Sequence, residues 1–213
     1  ATLSGGNISI VIPALAAANG YNGTLTVRNS VTGCVSSGEG ITVTILAPTV
    51  SFTGPSTICI GSTTTLSPTT GGTWVSNNLS VATVDDGGNV STVSAGTATF
   101  TFTETLTGCS NTTGTLTVNG NSTLSLTSAP ATTAQTVCIG NAIINITYLV
   151  GGGGTGATVT GLPTGVTSNY NGGSKVFTIT GSPSVAGTFN YTVTTTGPCV
   201  NVSLGGSISV TAN

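Results

Sequence analysis

Residues 97–103 read Thr97-Ala98-Thr99-Phe100-Thr101-Phe102-Thr103. Ala98, Phe100 and Phe102 fall on one side of an extended chain and the threonines on the other. Successive side chains of a strand point to opposite faces, so a period of two describes a half-buried antiparallel strand. β-Branched Thr also suits the pleated backbone. The alternation recurs at Ile8, Ile10 and Ile12; at Leu25 and Val27; at Ile41, Val43 and Ile45; and at Ile144, Ile146 and Tyr148. It returns at Phe177 and Ile179, at Phe189, Tyr191 and Val193, and at Ile208 and Val210. Between these runs stand turn signals: Asn19-Gly20, Asn22-Gly23, Asp86-Gly87-Gly88-Asn89, Asn171-Gly172-Gly173 and Gly181-Ser182-Pro183. Short strands broken by a turn every roughly 8 to 12 residues predict an all-β chain of sandwiches rather than an α/β fold.

Composition narrows the function. The chain has 213 residues, of which 3% are charged, against roughly 25% in an ordinary globular domain. Arg28 and Lys175 are the only bases; Glu39, Asp85, Asp86 and Glu104 are the only acids. A net charge of −2 argues against nucleic acid and against a polybasic membrane contact, both of which need clustered Lys and Arg. The longest apolar run, near Ile8 to Ala18, is interrupted by Pro13 and is too short to span a bilayer. Hydrophobic residues make up 37% of the chain; placed in regular alternation, they can bury a core and argue against disorder. Solubility then rests on hydroxyls and amides, a surface that tolerates close packing with copies of itself or with sugar. The start, Ala1-Thr2-Leu3-Ser4, has no basic segment or cleavage pattern of a secretory signal; the numbering is expected to begin inside a longer or processed chain.

Two elements repeat. One is Thr-Gly-Cys or Thr-Gly-Pro-Cys before a closing strand, at Thr32–Cys34, Thr107–Cys109 and Thr196–Cys199. The other is Cys-Ile-Gly, at Cys59–Gly61 and Cys138–Gly140. Pairing opening with closing elements gives two full units, with linkers near Leu46–Val50 and Val118–Ser122. The expected division is residues 1–46, the closing part of a repeat, then 47–118 and 119–213. Such repetition indicates an array.

The five cysteines show no Cys-x-x-Cys spacing and the chain has no histidine, so zinc is not expected. Structural disulfides in an oxidising compartment are expected instead. Domains of about 70 to 95 residues are near the marginal end of core size, and closing loops this long adds about 4 kcal/mol in the chain-entropy model. Pairing within units predicts Cys59–Cys109 and Cys138–Cys199. Cys34 is left over; its partner is either an upstream Cys-Ile-Gly element or another molecule, unless it is a reactive thiol.

Residues 73–103 carry Trp74-Val75-Ser76-Asn77-Asn78, then Val81-Ala82-Thr83-Val84, a turn, and Ala95-Gly96-Thr97-Ala98-Thr99. This stretch resembles the group-2 bacterial immunoglobulin-like domain. Residues 161–195 are similar to a PKD-like type of immunoglobulin-like module, through Gly161–Gly165, Ile179–Pro183, Ala186–Phe189 and Tyr191. Residues 23–34 look like the end of a related repeat. The mixture resembles the surface adhesins and gliding-associated repeat proteins of Bacteroidetes-type bacteria, commonly exported by the type IX system. The sorting domain of such substrates is not visible in this sequence. The resemblance implies tandem immunoglobulin-like β-sandwich domains at an extracellular, cell-surface location.

No catalytic, cofactor-binding or metal-binding residue is expected. Without histidine no Ser-His-Asp or Cys-His arrangement exists. Lys175 belongs to a turn, and Asp85, Asp86 and Glu104 do not form the facing carboxylates of a glycosidase. Asp85–Asn89 lacks the alternating oxygen ligands of a calcium loop. Trp74, the sole tryptophan, could stack on a sugar if exposed; its place in the resembled motif implies the core, near a disulfide. Three functions follow: a non-catalytic stalk of a surface adhesin or extracellular filament; a carbohydrate-binding or accessory module of a secreted glycoside hydrolase; or a filament subunit completed by a neighbour's strand. The expected partners are neighbouring immunoglobulin-like repeats of the same or identical chains, with surface polysaccharide as a further candidate.

Overall fold

A computed structural model describes residues 20–212. The strand expected at Ile8–Ile12 lies outside the described residues. The described chain is all-β, a tandem immunoglobulin-like β-sandwich architecture with one short 3-10 turn, Pro130–Thr133. Its strands in chain order begin with β1 (Gly20–Leu25) and β2 (Glu39–Thr44), then β3 (Ser51–Phe52), β4 (Thr57–Cys59), β5 (Thr63–Ser67), β6 (Gly72–Ser76) and β7 (Ala82–Val84). Next come β8 (Asn89–Thr92), β9 (Gly96–Ala98), β10 (Phe100–Glu104), β11 (Ser110–Thr112), β12 (Leu116–Asn119) and β13 (Ser122–Leu126). The last are β14 (Ala134–Cys138), β15 (Ile146–Gly152), β16 (Gly156–Thr160), β17 (Val166–Asn171), β18 (Val176–Gly181), β19 (Gly187–Thr196) and β20 (Ser203–Thr211).

The chain divides into two compact units. One holds the described residues up to Ser56 with Thr63–Ser91 and Thr97–Leu116; the other holds Thr57–Ser62, Thr92–Gly96 and the residues from Thr117 on.

In the first unit β1 and β2 form an antiparallel hairpin, and further sheets run β11-β10-β6 and β3-β5-β8-β7. The core contains Leu66, Trp74, Val90, Ala98, Phe100, Phe102 and Leu116, all buried. Phe100 meets Phe52 edge-on, with centroids 6.3 Å apart. The alternation through residues 97–103 holds, with Ala98, Phe100 and Phe102 inward. The hydrogen bonding breaks at Thr99, however. β9 joins the sheet β4-β12-β9, while β10 pairs with β6 and β11. At the break the Asn77 N–H donates to the Thr99 carbonyl, and the Phe100 N–H donates to the Thr113 hydroxyl. Thr113 thus satisfies a backbone group that leaves the ladder, as burial requires.

In the second unit β4 runs parallel to β12, with Cys59 opposite Asn119. Two four-stranded sheets follow, β13-β15-β18-β17 and β14-β20-β19-β16. Their inner faces share one cluster, which includes Ile146, Tyr148, Val150, Phe177, Ile179, Tyr191, Val193 and Ile208. β14 is parallel to β20, and Cys138 is opposite Thr211. Ile144 departs from the expected strand. It is exposed and precedes β15, and Ile143 takes the buried place. The reason is Gln135: its side-chain amide accepts from the Ile144 N–H and donates to the Ile144 carbonyl, replacing ladder bonds.

Across the solvated faces, hydroxyls pair with hydroxyls. Thr53 meets Thr65 at 2.6 Å, Thr101 meets Thr112 at 2.9 Å, Thr127 meets Thr147 at 2.8 Å and Thr194 meets Ser203 at 2.8 Å. Among the described residues no buried side-chain nitrogen or oxygen lacks a hydrogen-bond partner.

Candidate functional site: the cysteine-bearing elements

The Cys-Ile-Gly element is an end of strand followed by a tight turn. After β4, the Ile60 N–H donates to the Asn119 carbonyl at 3.0 Å, and the Ser62 N–H donates back to the Cys59 carbonyl at 3.0 Å. Gly61 sits at φ +84°, a left-handed position that suits glycine. The Gly61 N–H also donates to the Thr92 hydroxyl at 2.8 Å. Cys59 is thereby fixed at the end of the closing strand.

The Thr-Gly-Cys element is a different turn. The Glu104 N–H donates to the Cys109 carbonyl at 2.9 Å, and the Gly108 N–H donates to the Glu104 carbonyl at 2.8 Å, with Gly108 at φ +73°. The Cys34 turn has the same pattern. Asn29 N–H donates to the Cys34 carbonyl at 2.8 Å, Gly33 N–H donates to the Asn29 carbonyl at 2.9 Å, and Gly33 is at φ +74°. These turns precede closing strands.

The disulfide joins Cys59 to Cys199, within the second unit, with Cα atoms 5.7 Å apart. This corrects both pairs read from the sequence, Cys59–Cys109 and Cys138–Cys199. The physical reason lies in strand direction. Cys199 precedes β20, whereas Cys138 faces its last residue, Thr211. The nine residues of β20 put those ends roughly 26 Å apart, and a disulfide needs Cα atoms within about 7 Å. The same logic places Cys109 before β11 and Cys59 opposite the last residue of β12. Parallel pairing of the opening strand was the signal that could have found this: it sends the two cysteines of one repeat to opposite ends of its closing strand. Cys109 is buried, while Cys34 and Cys138 are exposed thiols outside the bridge.

The remaining candidates occupy structural places. Trp74 is 4% exposed. Its Nε1–H donates to the Pro68 carbonyl at 2.8 Å, and its ring lies 5.0 Å from that of Phe102. A ring so covered offers no face to a sugar. Tyr148 and Tyr191 are also buried, their hydroxyls 3.2 Å apart. Burial first, and then the Tyr148 hydroxyl, push the Tyr191 phenol above its ordinary range. Asp85 closes the β7–β8 turn: it accepts from the Asn89 side-chain amide and backbone N–H, both at 2.8 Å, which holds its carboxyl below the usual range. Glu104 accepts from the Thr107 hydroxyl inside the Cys109 turn. Lys175, at φ +57°, ends the β17–β18 turn. No group of three or more metal-ligating side chains occurs among the described residues. No helix among them is long and apolar enough to cross a membrane.

No family profile and no curated protein sequence matches this chain. Solved structures resemble it at low identity. The surface layer protein SbsC, domains 1–6, is 16% identical over 91% of this chain and 35% of that one, with a TM-score of 0.36. SbsC domains 4 and 5 are 19% identical over 88% of this chain and 89% of that one, at 0.35. The titin I-band fragment I67–I69 is 12% identical over 76% and 66%, at 0.46. The chain spans about a third of the six-domain SbsC structure. Likenesses at these scores bear no weight on function, so the functional reading rests on the cysteine geometry above.

Proposed function

We propose that this chain is a non-catalytic structural stretch of an extracellular bacterial surface protein, a stalk of tandem immunoglobulin-like repeats in an adhesin or filament. The proposed repeats are residues 47–118 and 119–213, preceded by the closing part of another within 1–46. The observation that carries the reading is the Cys59–Cys199 bridge. In these terms it ties the opening element of one repeat to the closing element of the next, which is what a chain that bears load along its length needs. A disulfide also fits an oxidising compartment. The aromatic residues available for a sugar platform are largely spent on cores, which favours the stalk over a carbohydrate-binding module.

Two measurements on the oxidised chain test this. Proteolysis with a broad-specificity enzyme should leave the segment from Cys59 to Cys199 intact until reductant is added. Chromatography on immobilised polysaccharides should show no retention; retention released by soluble sugar would replace the stalk with a binding module.

A further inference from the structure

We infer that the glycine loop Gly151–Gly154, together with Gly197, selects the Cys59–Cys199 pairing. It clamps the chain between β12 and β13 against the Cys199 turn through backbone contacts, and so seats the two sulfurs before they bond. All the residues concerned belong to the second unit. The inference needs the bridge itself and goes beyond the stalk reading, which it does not use.

Loop entropy works against this pairing. The bridge spans a sequence separation of 140 residues, whereas Cys59–Cys109 and Cys138–Cys199 would each close a loop less than half as long. The cost of closure rises with the logarithm of loop length, so an unfolded chain favours the shorter pairs by roughly three- to fivefold. Strand direction excludes those pairs once the sheets form, but exclusion does not bring Cys199 to Cys59. The clamp does. The Gly153 N–H donates to the Asn121 carbonyl at 3.0 Å, and the Ser122 N–H donates to the Val200 carbonyl at 2.9 Å. The buried Ser122 hydroxyl donates to Asn201 Oδ1 at 3.0 Å. At the other end of the linker, the Ile60 N–H donates to the Asn119 carbonyl. The chain from Asn119 to Ser122 is thus tied to the Cys59 turn on one side and to the Cys199 turn on the other. Between these ties the sulfurs rest on backbone: Cys199 Sγ lies 3.6 Å from the Asn119 carbonyl oxygen, and Cys59 Sγ lies 3.7 Å from that of Pro198.

The packing leaves no room for side chains. A Cβ on Gly153 would strike the Gly120 carbonyl, and one on Gly152, at φ +59°, would strike the Asn121 carbonyl. A Cβ on Gly197 would lie 2.8 Å from both the Gly153 carbonyl oxygen and Ser122 Oγ. The struck atoms are mostly backbone and cannot swing aside. A side chain here would part the linker from the turn and carry Cys199 away from Cys59. These glycines are positioning residues for the bridge.

The bond itself forms by thiol–disulfide exchange with a low-molecular-weight disulfide such as oxidised glutathione. One thiolate of the seated pair attacks a glutathione sulfur and expels the other glutathione as a thiolate. The second thiolate attacks the protein sulfur of that mixed disulfide and expels the remaining glutathione. Two protein thiols give up two protons and two electrons, and one glutathione disulfide becomes two thiols.

The test equilibrates the reduced whole chain in glutathione buffers of graded redox poise and maps the bridges with pepsin under non-reducing conditions. In the unaltered chain Cys59–Cys199 should form ahead of every other pair; a different dominant pair would overturn the proposal. Gly153→Ala should lower the effective concentration of Cys59 and Cys199 for each other by about tenfold to a hundredfold, with glutathione appearing on both instead. Gly205→Ala, whose added carbon would lie 3.5 Å from the Tyr191 carbonyl oxygen, should leave the pairing unchanged. A glycine needed only for stability would lower Tm and leave the effective concentration as it was, so that result for Gly153→Ala would also overturn the proposal. A second measurement needs no substitution and decides the matter if Gly153→Ala fails to fold. In the unaltered chain held reduced, the Gly153 and Ser122 amides should stay protected from hydrogen exchange. Exchange at the rate of an open chain would show that the bridge builds the clamp, the reverse of the order proposed.

Discussion

Pulling the chain by its two ends should reveal how much of it the Cys59–Cys199 bridge hides from force. The bridge spans a sequence separation of 140 residues. While it is closed, tension passes from Cys59 to Cys199 through the sulfurs, and everything between is shielded. An extended chain gains roughly 3.4 Å per residue, so the hidden segment is worth about 480 Å of contour length, against the 5.7 Å between the bridged Cα atoms. The assay is single-molecule force spectroscopy, first without and then with a phosphine reductant. Full extension should increase by that length on reduction, and Cys59→Ser should show the longer value from the start. Cys109→Ser and Cys138→Ser should leave the oxidised length unchanged; either would lengthen it if bridges formed within repeats. Equal extension with and without reductant would refute the bridge and the load-bearing role built on it. In bulk, the chain-entropy relation for a loop of this size gives a stabilisation of about 5 kcal/mol, which denaturation with and without reductant should detect.

Three further outcomes follow from the cores. Trp74→Ala removes a ring packed on Phe102 and leaves the Pro68 carbonyl without its donor, so a loss of about 3–5 kcal/mol is expected in denaturant titration; a loss under 1 kcal/mol would place the ring outside the core. Gly206 lies opposite Tyr191 in the β19–β20 pair, and a Cβ there would strike the Tyr191 hydroxyl and the Thr133 carbonyl. Gly206→Ala should therefore cost about 1–3 kcal/mol, seen as a lower Tm. The Tyr191 phenol is raised above its unfolded value, so its contribution is complete below about pH 10 and is lost as pH climbs toward the folded value. Alkaline unfolding followed by near-ultraviolet circular dichroism should show this, and Tyr148→Phe/Tyr191→Phe should move the alkaline midpoint upward.

Much of the architecture was legible because burial imposes a period of two wherever a strand has one wet face. Phe100, Phe102, Phe177, Ile179, Tyr191 and Val193 all fall inward as their spacing requires. The change of sheet at Thr99 was hidden, since Ala98, Phe100 and Phe102 are all buried and the alternation runs through the break. Ile144 misled for a related reason: an apolar residue in phase with Ile146 lies outside the strand, its backbone held by Gln135 rather than by a neighbouring strand. The cysteines were the instructive failure. Spacing identifies the repeating elements, but it carries no strand direction. The parallel pairing of β14 with β20 separates Cys138 from Cys199 by the length of a strand. Trp74 was legible through its motif, and its buried hydrogen bond to Pro68 agrees with a core position.

The hydroxyl pairs across the sheets have a bearing on where such a chain can work. Ion pairs on a protein surface weaken as dissolved salt screens them, over about 10 Å at 0.1 M and 3 Å at 1 M. A Thr–Thr contact such as Thr101 with Thr112 carries no net charge to screen, and it does not titrate in natural waters. Folding stability should therefore change little between fresh water and brine, so the chain could pass from one to the other without loosening.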